Sequence, residues 1–232
     1  MTATEIACLN HGYVALVDTM GDDRTPAQCA RTSFRNAKQA RTPEQDAKLT
    51  DYLIREAHTT PIEFCQVRFY IKCPMFVGEQ ILRHRTASIN KISYRYVQAT
   101  REFYIPAPER MNSRAANQKQ GSTDKQITDW QISQEIIRGA GDHAFDAYES
   151  LIAAGLAPEI ARSVLPMGTY TELYWQNDLH NLLHFLKLRL DPHAQYETRV
   201  YAKAMLELVE PIFPSIIASW RKHRMIEIWE SK

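Results

Sequence analysis

A nine-residue segment in the first third of the chain alternates between apolar and polar side chains. From residue 65 to 73 every second residue is apolar, beginning with Cys65 and ending with Cys73, and Pro74 closes the run. A period of two predicts a β-strand with one buried and one exposed face. A strand of this kind needs partner strands, so the chain must fold around a sheet. The alternation also places both thiols in the core, which argues against a cysteine nucleophile or a disulfide.

Other patterns supply more strands and the helices to cover the sheet. Apolar runs at residues 6–9 and 13–17 predict edge or hairpin strands, and residues 93–97 a further strand. Thr42, Pro43 and Gln45 have the arrangement of a capped helix start, and Asn177 or Asp178 is a candidate cap for a later helix. Further helices are expected at residues 75–85, 127–151, 159–165, 179–190, 191–208 and 211–224. The expected fold class is α+β, with a small antiparallel or mixed sheet, several covering helices and a helical C-terminal half.

Length and composition predict one globular domain spanning residues 1–232. Residues 112–126 are polar and should form an exposed excursion from it. The chain is 44% hydrophobic and 24% charged, with a formal net charge of +1, which argues against a general polyanion-binding protein. The first 17 residues lack the pattern of a signal peptide, and no apolar run has membrane-spanning length. We therefore expect a cytoplasmic protein with no membrane partner.

The most informative functional signal is a basic segment, residues 80–101, which contains no Asp or Glu. Its cations are Arg83, Arg85, Lys91, Arg95 and Arg101. Unopposed cations repel one another, and an anionic ligand such as a phosphate would relieve that repulsion. The alternative is a solvated basic face. The near-neutral net charge indicates a local pocket rather than a nucleic-acid surface.

Several other chemistries find weak support. His180 and His184 have the spacing of metal ligands on a helix, but no Glu lies between them, and packing or ligand contact is the favoured interpretation. Glycine-rich phosphate loops and a serine nucleophile elbow are absent. Arg162 and Arg189 lie among apolar residues, where an unpaired charge is costly. For Arg189 a salt bridge to Asp191 or Glu197 is the structural alternative to a functional role.

The motif Arg83-His84-Arg85, followed after seven residues by Ser93, resembles the signature of the flavin-dependent thymidylate synthases. Matching blocks occur in the same order at residues 58–64, 102–106, 161–166 and 188–195. The resemblance implies methylation of dUMP to dTMP, with methylenetetrahydrofolate as carbon donor and FAD, reduced by NADPH, as hydride source. It also implies a homotetramer with active sites shared between subunits. It implies no metal and no nucleic-acid partner.

The resemblance assigns roles to individual residues. Arg189 would favour ionisation of the uracil ring at N3, and His58 would lie near the flavin and folate. The residues implied for dUMP are Gln80, Ile81, Leu82, Arg83, Lys91, Ile92, Ser93, Tyr94, Arg95, Arg162 and Arg189. Those implied for FAD are Ser33, Thr60, Glu63, Arg83, His84, Arg85, Asn90, Lys91, Asp178, His180, His184 and His193. Lys91 departs from the family pattern, since many members have Glu there, and Tyr94 replaces a residue that is often small.

Two other functions fit the same residues. A binding module could grip single-stranded nucleic acid, with Tyr94, Tyr96 and Tyr104 stacking on bases. A chain with the family fold and ligands could also lack turnover because of Lys91.

Overall fold

The computed structural model describes residues 4–34, 41–114 and 121–225. The strands of this part are β1 Thr4–Cys8, β2 Gly12–Met20, β3 Gln66–Pro74, β4 Ser88–Lys91, β5 Asn112–Arg114, β6 Ser122–Gln126 and β7 Tyr170–Asp178. Five of them form one sheet in the order β1-β2-β3-β7-β4, with every neighbouring pair antiparallel. The separate pair β5–β6 is a two-stranded ribbon.

Helices cover the sheet and fill most of the second half. They are α1 Thr25–Ala30, α2 Pro43–Arg55, α3 Thr60–Glu63, α4 Met75–Ile81, α5 Trp130–Ala153, α6 Pro158–Ala161, α7 Leu179–Arg189, α8 Tyr196–Val209 and α9 Pro214–Trp220, with shorter 3₁₀ and π turns between or after some of them. The expected α+β class, with an antiparallel sheet and a largely helical C-terminal half, is confirmed.

The core lies between one face of the sheet and helices α7 and α8. Phe69 of β3 stacks on Trp175 of β7 at 6.3 Å between ring centroids, and Trp175 meets Phe185 of α7 at 5.3 Å. The thiols of Cys65 and Cys73 are fully buried and free. Burial raises the pKa of each of these thiols to about 12, so neither is a nucleophile near neutral pH. The core-thiol prediction is confirmed.

Both helix starts predicted from capping residues are confirmed. The Thr42 hydroxyl accepts from the backbone N–H of Gln45 at 3.3 Å, and the Gln45 side chain accepts from the backbone of Thr42 at 3.1 Å. This reciprocal box stabilises the first turn of α2. The Asp178 carboxylate accepts from the backbone N–H of Asn181 at 2.8 Å and so caps α7.

Two predictions around the basic segment are wrong. The helix predicted at residues 75–85 ends at Ile81, after which the backbone N–H of His84 bonds the carbonyl of Ile81 in a tight turn. Residues 93–97 are a turn rather than a strand, and the strand is Ser88–Lys91. Beyond Ile92 the chain leaves the edge of β7, and the Tyr94 hydroxyl instead of a backbone N–H bonds the carbonyl of Tyr170.

The second half also differs from prediction in three places. Asp191 and Pro192 do not start a helix, because the Asp191 side chain accepts from the backbone N–H of His193 at 2.8 Å and holds a turn. Helix α8 therefore begins only at Tyr196. The last helix begins at Pro214 rather than residue 211 and continues as a π-helix from Arg221 to Met225, which agrees with the predicted end at 224. Strand β7, which lies between β3 and β4 in the sheet, was not predicted at all. Its Thr171, Leu173 and Trp175 are buried and alternate with the more exposed Glu172, Tyr174 and Gln176.

Two glycines permit close packing that a side chain would block. A Cβ at Gly12 of β2 would lie 1.9 Å from the Tyr201 hydroxyl, which is buried and donates to the Lys72 carbonyl at 2.9 Å. A Cβ at Gly141 would lie 2.3 Å from the Phe103 ring. Gly141 has a low helix propensity, but its missing side chain lets the Phe103 ring pack against α5. The helix runs unbroken for 24 residues.

Candidate functional site

Arg189 lies at the C-terminal end of α7, where it reaches the end of α4. Its Nη1 donates to Gln80 Oε1 at 3.4 Å and its Nη2 to the Gln80 carbonyl at 3.3 Å. Its Nε donates to His84 Nε2 at 3.3 Å. The short length of α4 creates this arrangement, because the turn after Ile81 swings His84 back against α7. The structure thus brings together Gln80 and Arg189, which the resemblance assigns to dUMP, and His84, which it assigns to FAD.

His84 is held in its neutral form at this contact. Burial, then the positive charge of Arg189 and the neighbouring His184, lower the pKa of His84 from 6.5 to about 4. The ring packs against Phe185 at 4.8 Å between centroids. Since Nε2 accepts from the guanidinium, the ring proton resides on Nδ1. A protonated His84 would set two cations face to face.

Arg189 has no carboxylate partner among the residues described. Burial lowers its pKa, and no acidic neighbour offsets this. The salt-bridge alternative is therefore wrong for both candidates. Glu197 accepts from Arg110 Nε at 3.2 Å and from the Tyr104 hydroxyl at 2.9 Å, and Asp191 lies 3.1 Å from the His193 ring. A half-buried guanidinium with only neutral partners remains available to an anionic or ionising ligand.

A polar cavity of about 520 Å³ opens beside this guanidinium. Its walls come from the end of α4, the turn before α8, the start of α8 and the β5–β6 ribbon. The lining residues are Gln80, Arg110, Gly121, Ser122, Asp124, Arg189, Pro192, His193, Ala194, Gln195, Tyr196, Glu197 and Arg199. The volume is typical of small-molecule sites. Sequence reasoning missed Arg110, Gln195 and the ribbon as walls, and only the polar composition of residues 112–126 hinted at them.

A second region lies between α2, α3 and α7 and contains two adjoining cavities of about 690 and 210 Å³. Ser33 and Thr60 line the larger, His180 and His184 line the smaller, and His58 lines both. These are residues assigned to FAD or its surroundings from the resemblance. Glu63 is exposed just beyond them and accepts from the Thr59 hydroxyl at 3.3 Å. The His184 ring lies 6.2 Å from the His84 ring and so connects this region to Arg189.

The third region is β4 with the turn that follows it. Arg95 lies over the exposed Tyr96 ring at 5.2 Å and donates to the Ser93 hydroxyl at 3.3 Å. Lys91 pairs across the sheet with Leu173, whereas Asn90 pairs with Tyr174 on the opposite face. Ile92 bonds the Glu172 carbonyl at 2.9 Å and extends the pairing by one residue.

Four of the five cations in the basic segment lack a carboxylate partner within the described ranges, namely Arg83, Arg85, Lys91 and Arg95. Arg101 differs, because it lies 2.6 Å from Asp146, 2.7 Å from Glu149 and 3.8 Å from Asp142, all on α5. The premise of unopposed cations is therefore wrong for Arg101, and for the other four the anionic ligand stays a prediction.

Tyr94, Asp178 and Arg162 make contacts within the chain that affect the ligand roles expected for them. The Tyr94 hydroxyl is occupied by the Tyr170 carbonyl, and burial raises its pKa to about 12. The Asp178 carboxylate caps α7. Arg162 follows α6, where its Nε donates to the Glu159 carbonyl at 3.3 Å, and it lines none of the three cavities. The chain therefore distributes the expected dUMP residues over separate regions.

The nucleic-acid alternative loses two of its three stacking residues. Tyr94 is half-buried, and the Tyr104 hydroxyl is bonded to buried Glu197. Only Tyr96 of the three is widely exposed, at 78%.

Neither a metal centre nor a membrane span is found in the part of the chain that the structure describes. No group of three or more His, Cys, Asp or Glu residues there could hold a metal ion, and His180 and His184 instead face the cavity beside α2. No helix within residues 4–34, 41–114 and 121–225 combines the length and apolar character needed to cross a membrane.

Comparison with solved structures first defines the class of protein. The fold matches that of the UMP/dUMP methylase PolB from Streptomyces cacaoi bound with 5-Br dUMP, with a TM-score of 0.84 and 29% identity, covering 94% of this chain and 97% of that one. The structure of the same methylase bound with 5-Br UMP matches with a TM-score of 0.80 and 30% identity, covering 94% and 97% of the two chains. The class is thus a methyltransferase with this α+β fold.

Sequence comparison then defines the family. Residues 15–215 match the family described as "Thymidylate synthase complementing protein". The chain is 42% identical to the flavin-dependent thymidylate synthase of Gluconobacter oxydans over 96% of its own length and 74% of that protein. It is 44% identical to that of Thermus thermophilus, over 94% and 78% of the two chains, and 45% identical to that of Wolbachia pipientis, over 89% and 72%. The chain belongs to the flavin-dependent thymidylate synthase family.

Proposed function

We propose that this enzyme methylates dUMP to dTMP, with FAD as cofactor. The observation that carries the proposal is Arg189, a half-buried guanidinium whose partners in the described part of the chain are all neutral, at the wall of a polar cavity of about 520 Å³. Family membership supports the reaction, and the chemistry of the cavity supports a ligand that gains negative charge as it reacts.

Arg189 would stabilise the uracil ring when N3 has lost its proton. A cation fixed beside a developing anion lowers its energy most where water is partly excluded. Deprotonation at N3 enriches C5 in electrons and makes it the better nucleophile. Gln80 and neutral His84 hold the guanidinium without cancelling its charge, as a carboxylate would.

The residues around the second region fit a flavin dinucleotide. Ser33 and Thr60 offer hydroxyl groups, and His58, His180 and His184 offer imidazoles, along cavities of about 690 and 210 Å³. Arg83 and Arg85 line neither cavity, but their guanidinium groups have no carboxylate partner among the described residues and suit a diphosphate, which guanidinium binds in bidentate fashion. FAD, when bound, would supply the hydride.

The remaining elements of the proposal concern co-substrates and assembly. Methylenetetrahydrofolate would donate the carbon, and NADPH would supply the reducing equivalents. The chain would form a single catalytic domain that works in the cytoplasm. A homotetramer with shared active sites is supported by the separation of Arg95, Arg162 and Arg189 within one subunit. Residues from different subunits would then together form each dUMP site. Ile81, Leu82 and Ile92 would be among these residues.

The test is a visible absorption spectrum of the purified protein, followed anaerobically as NADPH and dUMP are added, with dTMP measured after folate addition. We expect a flavin spectrum that bleaches with NADPH, and dTMP in stoichiometric or catalytic amounts. Protein that stays colourless after incubation with FAD, or forms no dTMP, would contradict the proposal. If the protein binds FAD fully but forms no dTMP, it is a family member that has lost turnover, and Lys91 is the first residue to replace.

A further inference from the structure

The side-chain amide of Gln80 lies between a hydrogen-bond donor, the Arg189 guanidinium, and an acceptor, the side-chain oxygen of Gln195. Its Oε1 accepts from Arg189 Nη1 at 3.4 Å, while its Nε2 donates to the side-chain oxygen of Gln195. An amide has its acceptor on one side and its donors on the other, so one bond determines what the other side presents. Gln195 Oε1 accepts from the Gln80 NH₂ group and so stabilises the amide orientation in which Gln80 turns its own acceptor toward the guanidinium, a group that can only donate.

The opposite orientation would remove this contact. If the Gln80 amide rotated by half a turn, its NH₂ group would face the Arg189 guanidinium, and two donors would oppose each other. Arg189 would then keep the Gln80 carbonyl and His84 but lose its third anchor. Catalysis that depends on a fixed cation is sensitive to the loss of such an anchor.

Gln195 is itself held in place by a buried cluster. It immediately precedes α8, and Glu197, two residues later, is only 5% exposed. Glu197 accepts from the Tyr104 hydroxyl and from Arg110, whose guanidinium also lies 4.4 Å from the centre of the Tyr196 ring. A buried carboxylate with these partners fixes the first turn of α8, because leaving the charge unpaired would be costly.

We propose that Gln195 is a positioning residue for the reaction, which it serves by orienting the Gln80 amide toward Arg189. The inference rests on the proposed function, because it assigns Arg189 the task of stabilising the ionised uracil ring. Gln195 lines the same cavity as Arg189, but the hydrogen bond on which this role depends is the one to Gln80. Its effect passes through Gln80 alone.

The first test is Gln195→Met, which keeps the length of the side chain and removes the strong acceptor. Gln195 is exposed and its loss should leave folding intact. We expect kcat to fall about fivefold, the worth of one hydrogen bond, with the KM for dUMP within about twofold of its original value. Gln134→Met is the matched control, since Gln134 lies on α5 and donates to the Pro106 carbonyl. The control should retain the original kcat.

A double-mutant cycle with Gln80→Met separates positioning from a general structural effect. If Gln195 acts through Gln80, adding Gln195→Met to the Gln80→Met variant should change kcat by less than about 1.5-fold. A further fivefold loss in that background would overturn the proposal, and so would an unchanged kcat in Gln195→Met alone.

A readout without turnover distinguishes failure of this inference from failure of the proposed function. The ultraviolet spectrum of bound 5-bromo-dUMP reports how much of its ring is ionised at N3. We expect Gln195→Met to lower the ionised fraction at a given pH, and Gln134→Met to leave it unchanged. Absence of dTMP formation by the unaltered protein would refute the proposed function. An ionised fraction that is equal in the unaltered and Gln195→Met proteins would refute the positioning role.

Discussion

Arg101 and Arg189 show two ways in which one fold can hold a guanidinium. Arg101 lies at the surface among three carboxylates of α5, whereas Arg189 is half-buried and bonds only an amide, a carbonyl and a neutral imidazole. The sequence alone favours the opposite assignment. Arg101 belongs to the acid-free basic segment that predicts ligand binding, whereas Arg189 has a possible salt-bridge partner, Asp191, two residues away. What a guanidinium can do is decided by the groups that the fold places opposite it.

The largest expected effect is that of Arg189→Ala. Loss of the fixed cation beside the uracil ring should lower dTMP formation by about 10²- to 10³-fold, the usual loss when one donor to a developing anion is removed. The purified variant should still carry flavin, since Arg189 lines none of the cavities beside α2 and α3. Turnover equal to that of the unaltered protein would remove Arg189 from the mechanism and end the contrast with Arg101.

A third arginine arrangement should affect stability rather than chemistry. Asp46 is buried in α2 and lies 2.6 Å from both Arg24 and Arg31. Asp46→Asn should lower the free energy of unfolding by about 3 kcal/mol, because two guanidinium groups lose their shared carboxylate. Urea denaturation measures this change. A fall in kcat/KM with unchanged stability would show that the pair belongs to the site.

The pKa of the Asp46 carboxyl gives this prediction a pH dependence. Burial opposes ionisation of the carboxyl, but the hydrogen bonds from Arg24 and Arg31 outweigh it and hold its pKa below the usual value. The stabilisation is therefore present above the ordinary Asp pKa of about 4 and is lost as the pH falls through the lower folded value. The Asn variant should lack this acid-sensitive contribution.

His84, the neutral imidazole bonded to Arg189, should have a smaller effect on stability. In an NMR titration the His84 ring should titrate near pH 4 rather than 6.5. Between these values the unfolded chain takes up a proton that the folded protein does not, so His84 makes the free energy of unfolding decrease as the pH falls from about 6.5 to about 4.

Replacing the neighbour tests the cause of this shift. Arg189→Gln should raise the pKa of His84, but not fully to 6.5, because burial, the largest of the three causes, and the neighbouring His184 remain. A pKa that does not move in the variant would show that His84 does not sense the guanidinium.

The smallest expected effect is that of Arg101→Ala. The exposed cluster on α5 is screened by water and salt, so the melting temperature should change by about 2 °C or less and dTMP formation should not change. Differential scanning calorimetry and the turnover assay measure the two quantities. A large loss of turnover would place Arg101 in the site despite its three carboxylates.

These two arginines also show where sequence reasoning ends. The alternation at residues 65–73 and the caps at Thr42 and Asp178 are local signals, and each predicted its element. The partners of Arg101 lie 45 and 48 residues away along the chain, and no pattern within residues 80–101 reveals them. The neutral state of His84 likewise depends on α4 ending at Ile81, which tertiary packing decides.

The site shows the same division. Motif resemblance identified Gln80, His84 and Arg189, which the fold brings into contact. Of the five cations in the acid-free segment, Arg83, Arg85, Lys91 and Arg95 have no carboxylate partner among the described residues, and Arg101 has three. Gln195 and Arg110 were missed as parts of the cavity, because their importance lies in contacts between segments that are far apart in sequence.

The absence of a side chain at residue 12 has a consequence for how this enzyme can evolve. The space left by Gly12 admits the Tyr201 hydroxyl, which joins α8 to β3 through the Lys72 carbonyl. The same helix carries Glu197 in its first turn and follows directly after Gln195. Any side chain at position 12 would push α8 away from the sheet and displace the wall of a cavity to which residue 12 contributes no atom. Variation in an otherwise ordinary hairpin strand is thereby limited by catalysis, and Gly12 should tolerate substitution less than many residues that line the cavity itself.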